Sequence, residues 1–126
     1  MMSQNISLIL KEELKKNDVE DKIAEAFCEF FMTYKKEEWI YPGIFKRKFK
    51  LPITTVYYTF DKIEKSGYLK SYFEICCNHC KKSLGEIFES FLDIPDIIYC
   101  DDCPREVKAR ENAYIIYKVI NEHGDY

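Results

Sequence analysis

"GIFKRKFKLPITTVYYTFDKIEKSGYL", residues 43–69, decides how this chain is to be read. From about Pro42 to Lys50, the spacing of Ile44, Phe45 and Phe49 predicts a short helix with one apolar face. Its tail is basic, with Lys46, Arg47, Lys48 and Lys50. "KLP" then makes a turn, and Pro52 suits the first position of a new helix, where its missing N–H would have no partner anyway. In that helix Val56, Phe60 and Ile63 recur at intervals of four and three residues, the period of a single buried stripe. Gly67 is placed to end it, since only glycine enters the left-handed region without steric cost. "YLKSYFEI" reads as extended.

Upstream, "DVEDKIAEAFCEFFMTYKK" predicts a stronger helix, with Val19, Ile23, Ala26, Phe27, Phe30, Phe31 and Tyr34 at helical spacing. Asp18 is its expected N-cap, and Lys35 and Lys36 suit its negative end. Cys28, within it, reads as a small buried hydrophobe. A first helix is expected at "ISLILKEELKKN", burying Ile6, Ile9, Leu10 and Leu14, and a short strand at Trp39–Ile40. Over about residues 18–75, the order short helix, turn, second helix, glycine stop and strand resembles a winged helix-turn-helix. The resemblance implies that the helix after "KLP" is the recognition helix.

Two cysteine clusters follow. Cys77 and Cys80 are separated by two residues, as are Cys100 and Cys103, with 19 residues between the clusters. A two-residue gap lets one tight turn aim both sulfurs at an ion about 2.3 Å away, and two such turns complete a tetrahedron. The spacing predicts a zinc ribbon holding Zn2+ through Cys77, Cys80, Cys100 and Cys103, with strands at "GEIFESF" and "IPDIIYC". Cys76 points to the opposite face from Cys77 on a strand and would need a three-residue gap, so Cys77 is the expected ligand. His79 is expected as an exposed turn residue. Lys81 and Pro104 stand where such turns commonly have glycine. Four thiolates fill the coordination shell, so the ion is expected to be structural, contributing on the order of 10 kcal/mol to folding.

A winged helix followed by a ribbon resembles, in module order, archaeal transcription factor E and the alpha subunit of its eukaryotic counterpart. The likeness covers roughly residues 18–103 and implies contact with RNA polymerase and promoter DNA. The ribbon reads equally as an elaborated wing. After it, "PREVKARENAYIIYKVINEH" predicts an amphipathic helix opened by Pro104, with Ala109, Ala113, Ile116, Tyr117 and Ile120 on one face. That helix is expected to close over the first helix, or else to form a seam with a protein partner or a second copy.

The expected architecture is α+β, mostly α: a winged helix-turn-helix with an appended or inserted zinc ribbon and a C-terminal helix. The expected parts are 1–75 (helical, winged), 76–103 (ribbon) and 104–126 (last helix). With 126 residues, 47% hydrophobic and 33% charged, the chain has the composition of a folded protein. The first residues show no basic leader, and no apolar run approaches the roughly 20 residues a membrane span needs. The expectation is a cytoplasmic protein with no membrane association, in which six cysteines serve metal ligation rather than disulfides. Asp101, Asp102 and Glu106 could be imagined as a metal-dependent nuclease cluster but suit loop and helix-start positions better. No nucleophile triad or glycine-rich phosphate loop is visible, and no enzyme is expected.

Residues 1–75 carry 13 Lys and Arg against 12 Asp and Glu, whereas residues 76–126 carry 6 against 10. A polyanion would therefore meet the first half. The expected DNA-facing residues are Lys46, Arg47, Lys48 and Lys50, with Thr54, Thr55, Tyr57, Tyr58 and Lys62 from the next helix. That face has no Arg, Asn or Gln to read bases in pairs of hydrogen bonds, and it includes Asp61. The pattern predicts a small DNA-binding transcription regulator or accessory factor gripping double-stranded DNA mainly through its backbone. The alternative is a non-enzymatic interaction subunit that docks proteins through the same surfaces.

Overall fold

In the computed structural model, residues 6–103 and 105–121 are described. They form an α+β structure: α1 (Ile6–Lys16), α2 (Asp21–Phe31), β1 (Trp39–Ile40), α3 (Pro42–Phe49), α4 (Ile53–Lys65), β2 (Leu69–Cys76), β3 (Ser83–Phe88), β4 (Ile97–Tyr99), β5 (Glu106–Lys108) and β6 (Ala113–Val119). One sheet has the order β1-β6-β2-β3, with β1 antiparallel to β6 and β2 antiparallel to β3, and β4 and β5 form a separate antiparallel two-stranded sheet. Two compact units result, one of residues 6–70 and 117–121 and the other of residues 71–116. The second is thus an insertion: the chain leaves the helical unit along β2 and returns along β6.

The helical unit is organised around aromatic rings. Phe27, Phe31, Phe45 and Phe60 are fully buried, and Phe45 lies 4.8 Å from Phe27, 5.0 Å from Phe30 and 5.1 Å from Phe60 between ring centroids. α1 contributes Ile6, Leu10 and Leu14, and α4 contributes Val56, Phe60 and Ile63. Ile9 and Ile44 are only half-buried and Ala26 is exposed, so the buried stripes are narrower than their apolar content suggests. β1 pairs with the end of β6, Trp39 opposite Lys118 and Ile40 opposite Tyr117.

The C-terminal ends of α1 and α4 are closed by the same device. At the end of α4, Gly67 (φ 89°) donates its N–H to Glu64 O and Tyr68 donates to Ile63 O, a Schellman closure with two buried apolar residues beside it. At the end of α1, Asp18 takes φ 63° and donates to Lys15 O, while Val19 donates to Leu14 O. Asp18 therefore terminates α1 and does not cap α2, which begins at Asp21. Aspartate tolerates the left-handed region better than most residues, so the closure won.

The expected C-terminal helix over 104–126 is replaced by β5, a short 3-10 turn (Ala109–Asn112) and β6; Pro104 and residues 122–126 lie outside the described residues. "AYIIYKV" is dense in β-branched and aromatic residues, which pack well on a pleated surface and lose rotamer freedom in a helix. Tyr114, Ile115 and Val119 extend the apolar content beyond the expected helix face, as suits a strand whose successive side chains point to opposite faces. A dimer seam on that helix consequently has no helix to form it.

Burial raises the thiol of Cys28 above its ordinary 9.0 and the phenols of Tyr34 and Tyr117 above their ordinary 10.0. At Tyr117 the charges of Glu64 and Asp61 add to the effect. The folded unit thus holds these protons more tightly than the unfolded chain does. Their contribution is complete below about pH 9 and is lost as pH rises through the raised values. Urea titrations of the helical unit should show stability falling above about pH 9, and Tyr117→Phe should flatten the part of that fall lying above about pH 10.

In the inserted unit, β2 and β3 form a hairpin with Phe73 opposite Phe88, Glu74 opposite Ile87 and Cys76 opposite Ser83, its register shifting between Glu74 and Cys76. β4 faces β5 with Ile98 opposite Val107. Ile75, Cys77, Ile94, Ile98, Cys100, Val107 and Ala109 make its core. Two of those seven residues are cysteines of the paired clusters, so this core is small without whatever the sulfurs hold.

Candidate metal centre

The β2–β3 hairpin turns at Cys77–Lys82, where Cys77 N–H donates to Lys82 O at 2.8 Å and Lys81 N–H to Cys77 O at 2.9 Å. The second cluster follows β4 with the corresponding bond, Cys100 N–H to Arg105 O at 3.1 Å. Each turn is thus closed by the first cysteine and the residue five positions on. Lys81 takes φ 68°, so the place that commonly holds glycine keeps the left-handed backbone with a lysine in it. Its Nζ donates to Asn78 O across the turn.

These turns bring four thiols together. The sulfurs of Cys77, Cys80, Cys100 and Cys103 all lie within 4.8 Å of one another, with Cys77–Cys103 at 3.4 Å and Cys80–Cys100 at 3.7 Å. A disulfide would need about 2.05 Å, and all six cysteines are free. A tetrahedron with metal–sulfur bonds of about 2.3 Å has edges of about 3.8 Å, close to these separations. The four residues could hold a metal ion, as their spacing predicts. Among the described residues no other group of three or more His, Cys, Asp or Glu side chains is placed to do so.

The electrostatics favour a cation. The N–H of Cys80 is the main influence drawing Cys77 down to about 6, against burial and with help from the N–H of His79; the two N–H groups lie 3.5 and 3.4 Å from its sulfur. Cys103 is pushed up to about 12, first by its hydrogen bond with Cys77 and then by burial. At Cys80 the N–H of Lys82 lowers the value, but burial and the sulfurs of Cys100 and Cys77 outweigh it and the net direction is up. The thiolate is thus favoured at Cys77 and disfavoured at Cys80 and Cys103. A bound divalent cation would stabilise all four as thiolates and release their protons.

Cys76 stays outside the cluster, its thiol raised by burial and then by Glu74. The His79 side chain is exposed, and only its backbone takes part. Asp102 pairs with Lys82 at 3.2 Å, joining the two turns at the surface, and Glu106 accepts from the Tyr99 hydroxyl at 3.2 Å. Neither carboxylate belongs to the metal-ligating group. The N–H donors to Cys77 have no signature in the sequence beyond the two-residue gap, because any non-proline residue supplies the same N–H.

The residues expected to face DNA are all in the helical unit. Lys46, Arg47, Lys48 and Lys50 are exposed at the end of α3, where Lys50 adopts φ 55° and donates its N–H to Lys46 O. The Lys48 ammonium lies 4.9 Å from the centre of the Phe30 ring. On α4, Thr54, Tyr58 and Lys62 are exposed and Tyr57 is half-buried. Thr55 is buried at 6% exposure, a correction to its expected place on the outer face. α4 packs against both α1 and α3, so its covered arc takes in Thr55 and Thr59 as well as the apolar stripe, and Thr59 Oγ1 donates to Thr55 O at 2.8 Å.

Among the described residues, no helix is long and apolar enough to cross a membrane. No family model matches the chain, and neither a curated protein nor a solved structure matches it.

Proposed function

We propose that this protein is a non-enzymatic DNA-binding transcription regulator or accessory factor, with a structural zinc ion in the inserted unit. α3 and α4 serve as the helix-turn-helix, and β2 and β6 as the strands of a wing into which the ribbon is inserted. The order of elements around residues 42–69 and the pairing of β1 with β6 support that assignment. Zinc is the ion favoured by four soft thiolates at tetrahedral separations, and with no open position its role is to hold the fold.

The observation that carries the DNA reading is the exposed run Lys46, Arg47, Lys48 and Lys50 beside the exposed Thr54, Tyr58 and Lys62 of α4. Ammonium and guanidinium groups at a helix end suit phosphate oxygens, and threonine and tyrosine hydroxyls can donate to the same backbone. Binding of this kind releases counterions and is steeply salt-dependent. On mixed-sequence duplex, K46E/R47E/K48E should weaken binding at low salt by more than about tenfold and reduce the slope of log K against log salt by about 2–3. Fluorescence anisotropy across a salt series reads both quantities. Unchanged affinity in the folded triple variant would remove this surface from the DNA reading.

A second reading rests on the same helix. The outer face of α4 presents Tyr58 at 59% exposure and Asp61, which pairs with Lys65, and it has no Arg, Asn or Gln. A tyrosine-bearing face without base readers also suits a protein interface. An interaction subunit of a larger assembly would show no duplex retention at low salt.

A further inference from the structure

Between β3 and β4, the inserted unit carries a small apolar knob. Ser90 Oγ accepts the N–H of Leu92 at 3.2 Å, Asp93 N–H reaches Ser90 O at 3.0 Å, and Ile94 N–H reaches Phe91 O at 3.2 Å. Ile94, 1% exposed, anchors the turn in the core, and Phe91 sets its ring edge-on against Phe73 with centroids 5.7 Å apart. On this fixed base Leu92 stands 86% exposed, the most exposed of the large apolar side chains among the described residues. A single exposed leucine is ordinary on a protein surface. This one is held by backbone bonds on either side, with Phe91 and Ile87 also more than two-fifths exposed in the same segment.

Its own segment carries charge of one sign. From Ser83 to Cys103 the sequence has six acidic residues and no Lys or Arg. All six acidic residues are exposed, and of these Asp96 pairs with Arg110 and Asp102 with Lys82. Anionic surfaces such as nucleic acid or acidic lipid would be repelled by this segment.

We propose that the Phe91–Leu92 knob is a protein-docking element, and that its partner presents an apolar pocket rimmed by Lys and Arg. A turn already fixed in its bound shape loses little entropy on docking, which favours its use as an anchor. The acidic surround would steer a basic rim and select against acidic partners. This surface is independent of the DNA reading above, and either can fail without the other.

The test uses the full metallated chain as bait for a random peptide library, and the selected peptides are then measured against wild type and Leu92→Asp. Selected peptides are expected to combine apolar residues with Lys or Arg. Leu92→Asp should weaken them by about tenfold or more, and E86K/D93K by a comparable factor that shrinks at high salt. Unchanged metal content and circular dichroism show that each variant is folded, as the exposure of these residues leads one to expect. Selection of acidic peptides, binding unaffected by Leu92→Asp, or failure to converge on any sequence would overturn the proposal. Sedimentation showing a wild-type dimer dispersed by Leu92→Asp would also overturn it, because the occupant would then be a second copy.

Discussion

Replacing Cys100 with serine should abolish stoichiometric metal binding and unfold the inserted unit, the largest effect expected of any single substitution in this chain. Cys100 is buried in the core as well as placed in the cluster, with its sulfur 3.7 Å from that of Cys80. Serine removes a thiolate ligand and leaves a hydroxyl among apolar neighbours. The surrounding core of Ile75, Ile94, Ile98, Val107 and Ala109 is too small to hold several short strands by burial alone. Elemental analysis should find about one ion per wild-type chain and essentially none in the variant. Chelation should reproduce the loss. Acid should promote it too, because protons compete for the same sulfurs. Cys76→Ser, outside the cluster, should keep the metal. A wild-type protein that is metal-free when purified under reducing conditions, yet keeps the dispersed amide spectrum of residues 71–116, would sink the metal centre.

Phe45→Ala should destabilise the helical unit by about 3–5 kcal/mol. That is a large fraction of the roughly 5–15 kcal/mol that usually separates a folded domain from its unfolded state. Phe45 is fully buried, and besides its three closest rings it lies 6.3 Å from Phe31 and 6.1 Å from Phe49 between centroids. Truncation removes its own burial and opens a cavity at a point where α2, α3 and α4 all contribute rings, so no one helix can move in to fill it. Tilted and edge-on ring contacts are lost as well. Urea unfolding followed through helix ellipticity measures the change. A loss below about 1 kcal/mol would mean that the cluster relaxes freely and that Phe45 is not its centre.

Local signals and long-range contacts account for different parts of this fold. The two-residue gaps, with 19 residues between them, were enough to choose Cys77 over Cys76, because alternation on a strand is a local rule. The helices of residues 42–65 were legible for a similar reason: a proline, a glycine and a stripe at intervals of four and three act within a few residues of themselves. The burial of Thr55 has no local signal because it depends on two other helices packing against α4. The last segment departs further from its local pattern. Ala109, Ile116, Tyr117 and Ile120 do fall at helical spacing, but "AYIIYKV" also satisfies a strand, and the pairing of Tyr117 with Ile40 is not visible in local periodicity.

By itself the sequence determined the positions of α1 to α4, the four thiols and the exposed basic end of α3, since each follows from short-range spacing, turn chemistry or charge. Only the tertiary structure decided that residues 71–116 are an insertion, that the chain returns as β6, and that Asp18 closes α1. Strand partners and buried arcs are set by contacts between residues far apart in the chain, and a pattern that fits both a helix and a strand is settled by whichever neighbour buries it.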